Sequence, residues 1–150
     1  MSPRIRHALT LSGLTFALHF VWEQVQCPLF YVHGTFDASH AGMTLATIGD
    51  VGLTWWLYGL IAAASRRWRW ARGGWSTAQI AGLVVAAALT AFAVEAVALH
   101  LGWWRYLGSM PRLLGLGLVP VAQLVLLTPL VIWLAERVTP DGSASAQTSA

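Results

Sequence analysis

The spacing of its apolar runs limits most strongly what this chain can fold into. Four stretches, residues 8–31, 43–65, 78–100 and 113–135, each come close to the ~20 residues that a helix needs to cross the hydrocarbon core of a bilayer. Of the 150 residues, 57% are hydrophobic and 10% charged, against roughly 25% charged in an ordinary soluble domain. So little polar surface cannot coat a water-soluble fold. The expected fold class is all-α, a membrane-embedded four-helix bundle forming one domain over residues 1–138. The remaining residues, 139–150, are rich in Ser, Ala and Gly and are expected to form a disordered tail.

The basic residues are all Arg, and their placement sets an orientation. Arg4 and Arg6 precede the first run, Arg66, Arg67, Arg69 and Arg72 lie between the second and third, and Arg137 follows the fourth. Only Arg105 and Arg112 fall on the other side of an alternating bundle. The positive-inside rule then places both termini and the middle connection in the cytoplasm, and the expected location is a bacterial inner membrane crossed several times. The net charge of +3 is explained by this flanking Arg, so the lipid bilayer is the expected partner and nucleic acid is not. The Arg- and Trp-rich connection, residues 66–75, is expected to anchor at the headgroups. Arg4 and Arg6 before an apolar run also suit a signal peptide. The run lacks a small-x-small cleavage site, however, and continues through Trp22, Glu23 and Gln26 to Pro28, as a retained helix would. Cys27 is the single cysteine, so no intramolecular disulfide can form.

Polar residues inside the runs select a candidate site. An ionisable group at membrane depth costs about 2.5–3.5 kcal/mol on insertion scales and usually faces the bundle interior. Glu23, Asp50 and Glu95 are such groups, on three different helices, all expected in the outer half of the bundle. His19, Glu23 and Gln26 follow i, i+4, i+7 spacing and share one helix face. Thr47, Asp50 and Thr54 share another, and Gln123 lies partway down the fourth helix. His33, Asp37 and His40 occupy an outer loop, with Trp103, Trp104, Arg105 and Tyr106 in the second. The expected catalytic residues are Glu23, Asp50, Glu95 and His40, with Glu23 or His40 as a proton relay. Asp50 and Glu95 are expected to form a carboxyl pair. The expected ligand-binding residues are His19, Gln26, Trp104, Tyr106 and Gln123. No metal ligand is assigned, and the sequence names no cofactor. The Gly115–Pro120 stretch predicts a kinked or partly unwound entrance to the fourth helix.

Taken together, these residues resemble a family of small bacterial four-helix membrane proteins without an assigned activity. The matching pieces begin with Trp22-Glu23-x-x-Gln26-x-Pro28-Leu29-Phe30-Tyr31 and His40-x-x-x-Thr44-x-Ala46-Thr47-x-Gly49-Asp50. Glu95 follows, then Trp103/Trp104-x-Tyr106 and Met110-Pro111, then Gly115-x-Gly117-Leu118-x-Pro120-x-x-Gln123 with Pro129. The resemblance covers nearly all of the chain except the tail and implies fold and membrane location. A fainter similarity links Glu95, Trp104, Tyr106 and Pro111 to membrane-bound carotenoid cyclases and hydratases. Where such cyclases carry an acid after the Pro, this chain has Arg112 and Leu113.

Three functions fit this pattern. The first is a membrane enzyme acting on a lipophilic, isoprenoid-like substrate by carboxyl acid/base chemistry. The second is a module that binds or moves a cation or proton through its His and carboxylate groups. The third is an assembly partner, in a homo-oligomer or with another chain, whose buried polar groups fix helix pairing.

Overall fold

The computed structural model describes residues 1–33 and 40–139. Four long helices carry the chain: α1 (Pro3–Phe30), α2 (His40–Ser65), α3 (Thr77–His100) and α4 (Leu118–Val138). Four short strands lie between them: β1 (Tyr31–His33), β2 (Trp104–Tyr106), β3 (Arg112–Leu113) and β4 (Leu116–Gly117). Three of the helices, α2 from Ala41, α3 and α4, are long and apolar enough to cross a membrane. The first helix, expected to be a fourth such span, is not among them. His7, His19, Glu23 and Gln26 dilute its hydropathy, and all four are buried on its inner face.

Local chemistry sets the helix ends. Ser2 caps α1 by accepting from the Ile5 N–H at 3.3 Å, with Pro3 in the first turn where its missing N–H costs nothing. The helix therefore starts earlier than the apolar run. Ser76 and Gln79 close a capping box on α3. At the end of α2, Arg67 N–H bonds Ala62 O and Arg66 N–H bonds Ala63 O, each at 3.1 Å, with Arg66 at φ 52°. This is a Schellman stop with Arg in the left-handed position.

The expected unwound entrance to α4 is a β-hairpin instead. Strands β3 and β4 pair Arg112 with Gly117 and Leu113 with Leu116. The two turn residues, Leu114 (φ 53°) and Gly115 (φ 85°), both have positive φ, as a type I′ turn requires. Pro120 then sits in the first turn of α4, where no helical N–H bond is lost. The backbone break falls before the helix, so the helix itself needs no unwinding there.

The fourth helix packs against both α1 and α3, and α1 packs against α2. The burial pattern is inverted relative to a soluble bundle. Ile5, Leu9, Val21, Val25 and Leu29 of α1 are exposed, while His7, Thr15, His19, Glu23 and Gln26 are buried. Exposed Leu45 and Trp56 on α2 and buried Thr47 and Thr54 repeat the pattern.

The connection expected to anchor at headgroups is split. Trp68 is half exposed, but Trp70 is 1% exposed and belongs to the apolar core with Ala71. The connection folds back against the bundle: Tyr58 Oη donates to Trp68 O at 2.7 Å, and Trp70 Nε1 donates to Tyr58 O at 3.2 Å. Arg69 reaches Glu136 at 2.5 Å, and His7 Nε2 lies 3.6 Å from the same carboxylate. Of the expected tail, Thr139 is buried, its hydroxyl donating to Ala135 O at 2.7 Å, and the rest lies outside the described residues.

Candidate functional site

Between the four helices lies a cavity of about 510 Å³. Glu23, Gln26 and Cys27 of α1 reach its wall, with Asp50 of α2, Glu95 of α3 and Gln123 of α4. Tyr31, Trp103 and Trp104 line it from the strand end, and Met43, Ala46, Leu53, Val94 and Leu124 supply much of its apolar surface.

One wall is a hydrogen-bonded cluster whose polarity can be worked out from its donors. The indole N–H of Trp22 can only donate, and it donates to Gln26 Oε1 at 3.0 Å. This orients the Gln26 amide, whose Nε2 donates to Glu23 Oε1 at 2.7 Å and to Gln123 Oε1 at 2.8 Å. The Gln123 amide is oriented in turn, and its Nε2 lies 3.0 Å from Glu23 Oε1, 3.0 Å from Asp50 Oδ2 and 3.1 Å from His19 Nδ1. An amide nitrogen has two protons for these three neighbours. The count closes if His19 carries its proton on Nδ1 and donates to Asp50 Oδ2, 3.2 Å away. Gln123 then serves Glu23 and Asp50, and Cys27 Sγ donates to Glu23 Oε2 at 3.2 Å. His19 Nε2 is buried without a hydrogen-bond partner.

Glu95 occupies a different wall and is held by different partners. The Tyr106 hydroxyl donates to Glu95 Oε2, and the Tyr31 hydroxyl lies 3.5 Å from Oε1. Strand pairing sets this clasp: Tyr31 faces Tyr106 directly in the antiparallel β1–β2 pair, and Leu107 N–H bonds Phe30 O at 2.9 Å. On its other side the Tyr106 oxygen accepts the Gly117 N–H at 2.8 Å, which directs its own proton to the carboxylate. Burial, and after it the bond to Glu95, hold the Tyr106 phenol above its ordinary value. Burial, then the Glu95 charge, do the same for Tyr31. Both phenols therefore remain hydrogen-bond donors at neutral pH.

Of the residues expected at the site, Glu23, Asp50, His19, Gln26 and Gln123 come together in one cluster. Glu95, Tyr106 and Trp104 gather on the facing wall. The expected Asp50–Glu95 pair does not form: Asp50 is bound to His19 and Gln123, so the carboxyls that share a partner are Glu23 and Asp50. His40 opens α2, but its side chain and the loop with Asp37 lie outside the described residues, as does the His33 side chain. His100 ends α3 in an exposed position. Trp103 is 41% exposed at the cavity edge.

Tyr31, Cys27 and Trp22 were not singled out as site residues from the sequence. Helical spacing could have placed Trp22 near Gln26. Nothing local pairs Tyr31 with a residue 75 positions away. Glu136, which lies away from this cluster, is 7% exposed and paired with Arg69. Among the described residues, no group of three or more His, Cys, Asp or Glu side chains is placed to hold a metal ion.

Compared with known proteins, the chain matches no family model, no curated protein and no solved structure.

Proposed function

We propose that this chain is a multi-pass membrane protein of a bacterial inner membrane with both termini in the cytoplasm. In this reading α1 is the fourth span: its 28 residues exceed the bilayer requirement, and its polar stripe is turned inward while its apolar residues face out. The seven Arg on one side supply the orientation.

Its proposed activity is acid/base chemistry on a lipophilic, isoprenoid-like ligand held in the cavity. The observation that carries this reading is a carboxyl group, Glu95, on the wall of an apolar cavity of about 510 Å³ with both oxygens facing tyrosine hydroxyls. A carboxyl that gives a proton to an alkene becomes a carboxylate, and Tyr31 and Tyr106 are placed to hold that charge. The faces of Trp103, Trp104 and Tyr31 are placed to attract the cation that forms. Return of a proton from the neighbouring carbon to Glu95 completes a double-bond shift and needs no co-reactant. Glu23 and Asp50, with Gln123 and His19, form the second polar wall, which orients the ligand.

The test compares lipid extracts from cells lacking the protein, making it, or making Glu95→Gln. The expected result is a lipid species altered by the wild type and restored to the protein-free pattern by Glu95→Gln, with the variant still in the membrane. Identical extracts with and without the wild-type protein would overturn the reading.

A further inference from the structure

Three carboxyl groups reach the cavity wall, whereas no Arg, Lys or His lies among its described lining residues. Two of the three are tied into the polar cluster. Asp50 has His19 Nδ1 at 3.2 Å, and Glu23 accepts from Gln26, Gln123 and Cys27, neutral donors that bring no counter-charge. Glu95 stands outside that cluster, beside the aromatic residues. Its partners are the hydroxyls of Tyr31 and Tyr106, which contribute dipoles but no counter-charge, and it belongs to none of the ion pairs among the described residues.

Aromatic rings stand beside this carboxylate. Tyr31 and Trp104 meet edge to face with centroids 5.8 Å apart, and Trp103 adjoins Trp104 at 6.2 Å. All three line the cavity. Ring faces attract a cation electrostatically, and aromatic walls beside an acid are suited to a substituted ammonium, which offers charge without needing a hydrogen bond. The rest of the wall, including Met43, Ala46 and Leu53, is apolar and suits an alkyl chain. Leu45 is 58% exposed and also lines the cavity, so the space reaches the outer surface of α2.

We infer that the cavity takes an amphiphile whose polar end is a substituted ammonium, with its charge between Glu95 and the rings of Tyr31, Trp103 and Trp104. The inference rests on the proposed role of the cavity as a ligand site and is independent of any reaction there. An acid-lined, base-free cavity rejects an anionic head of the same size, and a neutral head brings no charge to set against Glu95.

The purified protein in neutral maltoside micelles is titrated with decyltrimethylammonium, decanol and decyl sulfate, and binding is measured calorimetrically. Wild type is expected to bind the ammonium at least tenfold more tightly than decanol, with decyl sulfate weakest. Glu95→Gln is expected to bring the ammonium to within about twofold of decanol, with helical content retained. Equal affinity for ammonium and decanol, or no binding of either, would overturn the inference. So would a tenfold preference that survives in Glu95→Gln. Should Glu95→Gln fail to fold, the wild-type series alone decides, and Trp104→Leu supplies a second variant expected to reduce the preference at least threefold. Ammonium selectivity without any lipid change in cells would leave the ligand site standing and the acid/base reading overturned.

Discussion

A methyl group at Gly117 would lie 3.1 Å from the Tyr106 ring and 3.1 Å from Met110 Sδ. That is closer than side chains normally pack, and the same residue donates its N–H to the Tyr106 oxygen. Gly117→Ala is therefore expected to push Tyr106 away from Glu95 and to destabilise the protein by about 1–3 kcal/mol, as overpacking usually does. Thermal unfolding in detergent measures the loss. Tyr106→Phe removes the hydroxyl with less steric change but leaves the Gly117 N–H and one Glu95 oxygen without it, at about 1–3 kcal/mol. The phenol also has a pH signature. Because the folded state holds the Tyr106 and Tyr31 protons more tightly than the unfolded chain does, their contribution is fully present below the ordinary phenol value of about 10 and is lost as pH rises through the higher folded value. Phenolate absorbance at high pH should show one fewer late-titrating tyrosine in Tyr106→Phe than in the wild type.

At the scale of elements, Gln123 is the joint between α4, α1 and α2. Its amide separates the Glu23 and Asp50 carboxyls and bonds both. Gln123→Leu has similar bulk but leaves both acids facing each other, at a cost of about 1–3 kcal/mol or more. Unfolding in a mixed-detergent titration reads this, and Glu23→Gln in the same chain should recover part of the loss by removing one of the two facing carboxyl groups. A second latch holds the connection between α2 and α3. Arg69 reaches across to Glu136 on α4 at 2.5 Å, and Trp70 fills the core above it. Arg69→Ala removes the Arg partner of a nearly buried Glu136, so about 3 kcal/mol is expected to be lost. The connection carries further arginines, so trypsin should cut it faster in the variant than in the wild type. Here the helices were legible in the sequence, because apolar runs and caps are local signals. The latch was not: an Arg between two Trp reads as a headgroup anchor until tertiary packing shows Glu136 beneath it.

For the molecule as a whole, the inversion of burial is the property that organises the rest. Apolar side chains cover the outside and a polar stripe runs along the inner face of α1. A fluorescent protein fused after residue 150 is expected to be bright in a bacterial host, whereas alkaline phosphatase at the same place is expected to be inactive. The opposite pair of results would reverse the orientation. The number of helices, their inward polar faces and the short list of acids followed from sequence alone. Period and composition report which face of a helix is unlike the others, and Glu23 and Gln26 stood out on that ground. Only the tertiary structure decided which acids meet. The β1–β2 register sets Tyr31 opposite Tyr106 over Glu95, and Gln123 binds Glu23 and Asp50 from 100 and 73 residues further along the chain. The hairpin at Leu114–Gly115 likewise emerged only with its partner strand in place. Such contacts join residues with no local pattern in common, so their pairing is set by where the helices and strands pack and not by any spacing along the chain.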